Sequence, residues 1–343
     1  MEYLVLVADS FRESVLEELG SRCRVVGETH NAMIVDIAEA KARRLGSARF
    51  VYSHFPVLRS ARIGRRTGRD YIGFLHRQVK MLGLERSARL RLECYDINCK
   101  RGYSAKDIEV RIGTMLEREG HRIDLEHPEV LAYSVLLNGV CYSGYVETLG
   151  RRVFVDPFRV YKEKLVSRAE FKMAEAFDTF GLEVPKVAID IGAAPGGWSL
   201  FLARKGAAVI AIDSALLDYS RIRKQGVSVR QVRAVDPGNI RPGAILHIKA
   251  RLDGAIQLID GVKADMVMDD INAGGMESAK AVLGCAGALE RGSTLIMTVK
   301  CLRRNVGKYS REVEALLRPK FRVVQWKVLP HNRQEITLYA VRK

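Results

Sequence analysis

Between Val187 and Trp198 the chain reads VAIDIGAAPGGW, an apolar strand that runs straight into small residues and then opens a helix. Small residues let a ligand approach the backbone, and the first turn of a helix favours a carboxylate or phosphate. More apolar runs follow (AVIAID, ILHIKA, ADMVMDD, STLIMTVK, EITLYAVR), with helical stretches such as WSLFLARKG and SREVEALLR among them. Strands alternating with helices predict an α/β, doubly wound and mostly parallel sheet over 159–343. Asp213 ends the second of these strands, where an acid accepts hydrogen bonds from ribose hydroxyls. The same aspartate also suits a helix N-cap.

A glycine-rich turn alone would serve a dinucleotide oxidoreductase equally well. Here the run is Gly192, Ala193, Ala194, Pro195, Gly196, Gly197, and its spacing departs from GxGxxG. That departure favours S-adenosylmethionine over a nicotinamide cofactor. Trp198 either packs its helix against the sheet or touches the cofactor.

Charge narrows the partner. The chain carries a formal +16, concentrated in two stretches. Residues 59–91 hold ten Lys/Arg against two acids, and residues 300–343 hold twelve against three. Lopsided segments of this kind suit a phosphate-facing surface, since each neutralised phosphate releases a counterion. RNA is the expected partner; a solubilising Arg-rich surface is the plainer alternative. No apolar run reaches the roughly 18 residues that span a bilayer, and the start lacks the marks of a secretory signal. The reading is cytoplasmic, with no membrane partner. Six scattered cysteines form no CxxC pair, so reduced thiols and no metal are expected.

Ahead of the large sheet lie two smaller regions. Residues 1–69 read as a β-α-β-β-α unit of ferredoxin-like order followed by a linker over the basic stretch 59–69, which has no apolar period. Residues 70–158 add a helix, the strand RLRLECYDI, a helix capped by Ser104 with Asp107 at N3, and two strands joined by Asn138-Gly139, a strong hairpin signal. In order, RLRLECYD, KRGYSAKDIEVRIGTMLE, IDLEHPEVLAYSVLLN and YSGY resemble the THUMP module, an RNA-binding domain of RNA-modifying enzymes.

DIGAAPGGWS resembles the cofactor motif of the FtsJ-type ribose 2'-O-methyltransferases, and the order of residues across 160–343 is similar to that family. The resemblance implies a Rossmann-like methyltransferase domain and a Lys-Asp-Lys-Glu tetrad at Lys172, Asp270, Lys300 and Glu335. It implies S-adenosylmethionine contacts from Gly192, Ala194, Pro195, Gly196, Gly197, Trp198, Asp213, Asp253 on the adenine side, and Asp270. Asp269 stands beside Asp270 where the family more often has Ser or Cys, so two adjacent carboxylates compete for the inward position. With the two smaller regions in front, the architecture is similar to bacterial enzymes that 2'-O-methylate a cytidine of large-subunit ribosomal RNA.

A lysine near a second lysine in a desolvated site has a lowered pKa, and on that ground Lys300 is the expected base. Asp270 would orient it, while Lys172 and Glu335 would position the hydroxyl. The expected activity is methylation of a ribose 2'-hydroxyl in a structured transfer or ribosomal RNA, with no DNA partner. The rival of another class is an RNA-binding or assembly factor that keeps the fold and the cofactor site without turnover.

Overall fold

A computed structural model describes the chain apart from residues 8–10, 21–22, 30–31, 40–41, 43–44, 46–47, 65–67, 97–102, 126, 149–165, 168, 301–305, 330 and 333–334. It divides into two units, Met1–Asp156 and Pro157–Lys343. Among the described residues no helix is long and apolar enough to cross a membrane.

The first unit contains two sheets. In one, β1 (Glu2–Leu6), β2 (Arg24–Thr29), β3 (Ala32–Asp36) and β4 (Ser53–Pro56) pair antiparallel in the order β2-β3-β1-β4, with helix α1 (Arg12–Leu19) between the first two strands in sequence. Strand β4, SHFP, has no sequence signature beyond its length. As an edge strand it tolerates a proline that could not donate to a central ladder.

In the other sheet, β5 (Arg59–Arg62), β6 (Arg89–Asp96), β7 (Arg122–Ile123), β8 (Val130–Leu137) and β9 (Val140–Glu147) take the order β5-β9-β8-β6-β7. The basic stretch expected as a linker therefore begins with a strand, paired to β9 from Arg59↔Ser143 to Arg62↔Val140. Its side chains alternate between half-buried and exposed. An arginine-studded edge strand offers no apolar period to read. The hairpin at Asn138-Gly139 forms as expected, with φ of 51° and 76° at the two turn residues and Leu137 facing Val140. Ser104 and Asp107 cap the second of the two helices that cover this sheet, α2 (Gly68–Lys80) and α3 (Ala105–Arg118), in the reciprocal manner expected.

Strand β8 is buried on both faces, which is why VLAYSVLL shows no apolar-polar alternation. Ala132 packs with Tyr71, Leu75 and Ile112 of the two helices. Leu131, Tyr133, Val135 and Leu137 pack with Leu4, Ile34 and Phe55 of the first sheet. Tyr133 donates its hydroxyl hydrogen to the Pro56 carbonyl. Gly144 faces this contact: a Cβ there would sit 2.3 Å from the Pro56 oxygen and 2.4 Å from the Tyr133 hydroxyl.

The second unit is built on one eight-stranded sheet: β10 (Val187–Ile191), β11 (Ala208–Asp213), β12 (Ser228–Val232), β13 (Ala244–Lys249), β14 (Ala264–Asp269), β15 (Leu289–Lys300), β16 (Phe321–Lys327) and β17 (Glu335–Arg342), in the order β12-β13-β11-β10-β14-β15-β17-β16. The first six pair parallel; β17 runs antiparallel between β15 and β16. The six apolar runs of the sequence are the central strands, and both strands that escaped notice, SVRQV and FRVVQWK, are edges with solvated residues interleaved.

The helices are α4 (Ala169–Phe180), α5 (Gly197–Arg204), α6 (Tyr219–Lys224), α7 (Leu252–Ala255), α8 (Gly275–Cys285) and α9 (Val306–Leu317). Met173 and Phe177 of α4 and Leu200 of α5 share a core with Met266, Met268 and Ile296 of the sheet. Side chains two apart on a strand share a face, so this face continues to Asp270 past β14, to Thr298 and Lys300 on β15, and to Glu335 and Thr337 across from them.

The Gly144→Ala substitution is expected to destabilise the first unit by about 1–3 kcal/mol, the usual cost of forcing a methyl group into filled space. Differential scanning calorimetry checks it: one transition falls by several degrees while the transition of the second unit stays in place.

Candidate active site

The four tetrad candidates come together at the carboxyl ends of β14 and β15, as expected for an open α/β sheet. Lys172 Nζ donates to both carboxylate oxygens of Asp270 at 3.3 Å and to Glu335 Oε2 at 2.6 Å. Lys300 Nζ donates to Asp270 Oδ1 at 3.0 Å and to Glu335 Oε1. Each ammonium therefore bridges the same two carboxylates, closing a square. All four side chains are at most 16% exposed. Burying four charges is tolerable only because they cancel and are hydrogen-bonded to one another. The antiparallel return of β17 is what supplies the last corner, since its register sets Glu335 directly opposite Lys300.

Sequence reading missed a fifth member. Thr298 donates its hydroxyl to Asp270 Oδ1 at 2.6 Å. Its signal was present: it lies two residues before Lys300 on the same strand, hence on the same face.

The same rule separates the two adjacent aspartates. Asp270 has the parity of Met266 and Met268 and turns toward α4, where Lys172 waits. Asp269 has the parity of Val267 and is wholly buried away from the square. There burial pushes its pKa up to about 7, against the opposing pull of Ser278 and the Ile271 amide. Asp190 behaves alike: burial lifts it to about 7, although Ser199 donates to Oδ2 at 2.6 Å, and its Oδ1 has no hydrogen-bond partner among the described residues.

For Asp270 burial acts upward, but Lys172 and Lys300 outweigh it and hold the carboxyl below its ordinary value. For Lys300 burial acts downward, and Asp270 and Glu335 outweigh that, so its pKa is raised. This corrects the expectation of a lowered Lys300. The second lysine is present, but both carboxylates lie within bonding distance of Lys300, and opposite charge in direct contact dominates. Lys300 is an ammonium here, held as a donor.

The GAAPGG turn adjoins the square. Gly192 adopts φ of +72°, and a Cβ on it would come within 2.9 Å of the Ile271 side chain, one residue past Asp270. Its amide and that of Ala193 bond the Ile212 carbonyl at 2.9 and 3.3 Å, while Asp270 N–H bonds the Ile191 carbonyl at 3.3 Å. Gly196 has φ of +113°. A Cβ on Gly197 would collide with Ser167 Oγ, so the glycine-rich turn is packed on the start of the Lys172 helix.

Asp213 accepts the Ala194 amide at 2.9 Å and the Ala215 amide at 2.8 Å. It thereby staples the turn to β11 while each oxygen keeps a further lone pair for a hydroxyl. Trp198 is 3% exposed and part of the core, with Nε1 unpartnered among the described residues, which is the packing alternative. Asp253 falls in α7, and its side chain lies outside the described residues. Asp236 accepts from the Gly238 amide and Asn239, a turn role. A close-packed turn of small residues with a half-buried carboxylate across from it fits the ribose and amino-acid ends of S-adenosylmethionine.

This is a Rossmann-like sheet with a glycine-rich turn and a buried square of opposite charges at its carboxyl edge. Residues 165–335 match the FtsJ-like methyltransferase family. Ribosomal RNA large subunit methyltransferase E of Polaromonas naphthalenivorans is 34% identical over 139 residues, covering 37% of this chain and 53% of that protein. Ribosomal RNA large subunit methyltransferase M of Sodalis glossinidius is 29% identical over 119 residues, 32% of this chain and 31% of that protein. The chain thus spans about half or less of the curated relatives it matches. Among solved structures, TrmN from Thermus thermophilus aligns over the whole of both chains at 16% identity with a TM-score of 0.42, too distant to bear on function. The second unit is an FtsJ-like methyltransferase domain, and S-adenosylmethionine is its cofactor.

Two outcomes follow from this geometry. Gly192→Ala would drive Cβ into Ile271 at a left-handed position, and isothermal titration should show the Kd for S-adenosylmethionine raised about tenfold or more, worth about 1.4 kcal/mol. Asp269 has a folded pKa of about 7 against an ordinary 3.8, so the native state keeps a proton that the unfolded chain has lost. Its contribution is therefore favourable at low pH and is lost as pH rises through that interval. Asp269→Asn should raise Tm by several degrees at pH 8, and much less at pH 4, in thermal melts.

Proposed function

We propose that the protein methylates a ribose 2'-hydroxyl of a structured RNA through the square of Lys172, Asp270, Lys300 and Glu335. The observation that carries this reading is the adjacency of the square to the nucleoside-binding turn, joined through Ile191, Gly192, Asp270 and Ile271. S-adenosylmethionine supplies an activated methyl group on a sulfonium sulfur. The protein's own work is then alignment, charge stabilisation and removal of one proton.

Lys300 is the donor to the hydroxyl oxygen and stabilises the charge that grows there as its proton leaves. The proton goes to a carboxylate. Asp270 is a poor acceptor, because Lys172, Lys300 and Thr298 all donate to it and its pKa is depressed. The proton is assigned to Glu335, which takes one contact from each lysine and faces the hydroxyl donor Lys300. Lys172 holds both carboxylates in place from the helix side. The square starts neutral and gains one positive charge with that proton, the same charge that the spent methyl donor gives up, so the buried total does not change.

In this reading the first unit selects the RNA. The β2-β3-β1-β4 order, with every pairing antiparallel, supports a ferredoxin-like domain. The five-stranded sheet with its two covering helices supports the THUMP resemblance. Arg59 and Arg62 on the edge strand and the basic helix that follows supply positive charge for phosphates. The names of the relatives favour ribosomal RNA over transfer RNA. The intact square argues against an inactive binding factor, which would have no need of four buried charges.

The test is transfer of labelled methyl from S-adenosylmethionine to fractionated RNA lacking the modification, with the product treated with alkali. Alkali-resistant label is expected, and alkali-sensitive label would move the assignment to a base. Lys300→Ala should lower kcat by about 10²–10³-fold, as for loss of one transition-state donor. Lys300→Arg, which keeps a donor but cannot serve as a base, should retain a measurable fraction of activity. Complete loss in Lys300→Arg with cofactor affinity intact would restore the lysine as base.

A further inference from the structure

Two contacts tie α4 to the segment that enters β17. The first is Lys172 with Glu335. The second lies one helical turn away. Glu175, wholly buried, accepts the His331 backbone N–H at 3.0 Å on Oε2 and pairs through Oε1 with His331 Nδ1. The Phe171 ring stacks on that imidazole with centroids 5.1 Å apart. Phe171, Lys172 and Glu175 thus share one turn of helix, and His331 and Glu335 share one short stretch of chain.

Between them the same stretch is fastened again. Asn332 donates to Thr337 Oγ1 at 2.9 Å, and its N–H bonds the Leu329 carbonyl at 2.9 Å. Burial pushes the Glu175 carboxyl up, opposed by His331 and then by Lys172. A carboxylate placed this deep is costly unless its partners are fixed, so the pair strongly disfavours any path of the chain that moves His331 off the helix.

We propose that the Glu175–His331 pair is a positioning clamp for methyl transfer: it fixes where β17 begins against α4, and so holds Glu335 in reach of both lysines. The clamp rests on the tetrad reading above, but its structural half is independent of turnover. Neither residue touches the reacting atoms; both act through Glu335 and Lys172. Glu175→Gln keeps an acceptor for the His331 amide and should preserve the clamp, whereas Glu175→Ala removes it.

The test uses the full chain. First, without any ligand, the protein is treated briefly with acetic anhydride, and acetylation of Lys172 is compared by peptide mass spectrometry with that of Lys327, a lysine equally buried in the same unit at 8% exposure. Release of the clamp should raise the Lys172-to-Lys327 ratio about tenfold in Glu175→Ala, through local opening, and leave it within about twofold in Glu175→Gln. Global destabilisation would raise both lysines together and leave the ratio unchanged, and an unchanged ratio overturns the proposal. Second, kcat for methyl transfer should fall about 10–100-fold in Glu175→Ala, with KM for S-adenosylmethionine unchanged and Glu175→Gln largely rescued. If Glu175→Ala does not fold, His331→Ala is measured in its place with the same expectations. A wild type that transfers no methyl would sink the proposed function, and the acetylation ratio would still decide the clamp.

Discussion

Everything at the candidate site depends on one constraint: four charged side chains are buried together, and none is tolerable there without the other three. Removing any corner leaves an odd charge in a place that water hardly reaches. The sheet meets this constraint by geometry. Parallel strands β14 and β15 bring Asp270 and Lys300 to a shared edge, α4 lays Lys172 across them, and only a strand running the other way delivers a carboxylate back to the same level.

That constraint also sets the chemistry. Close opposite charges hold Lys300 as an ammonium and Asp270 as a carboxylate, so the square is built of fixed donors and acceptors. Such a site favours stabilising charge on an oxygen over abstracting its proton with a free amine. The buried aspartates outside the square, Asp190 and Asp269, have no comparable partners, and burial moves them the other way. Contact with the two ammonium groups, which Asp270 has and the other two lack, decides between the two outcomes.

Much of this was legible in the sequence. The GAAPGG turn, the six central strands, the hairpin at Asn138-Gly139 and the four tetrad positions could all be read, because each leaves a local signature: small residues, an apolar run, a turn dipeptide, a motif. What escaped were features whose signature lies elsewhere in the chain. The edge strands β4, β5, β12 and β16 have half-solvated residues and show no run. The protonation state of Lys300 depends on Asp270 and Glu335, thirty residues back and thirty-five on. Glu175 and His331 look like a solvated acid and a loop histidine until the fold puts them in contact. Thr298 and the choice between Asp269 and Asp270 fall between these cases, since counting by twos along a strand from Met266 or Ile296 would have found both.

The antiparallel return of β17 has a consequence for how the protein is made. A ribosome synthesises Lys172, Asp270 and Lys300 well before Glu335, and the strand that carries Glu335 follows every other strand of its sheet. A nascent chain therefore holds two lysines against one aspartate at this spot, with an unmatched positive charge and an uncovered edge on β15. The square becomes electrically neutral only when the last strand docks, so closing the sheet and balancing its buried charge are one event.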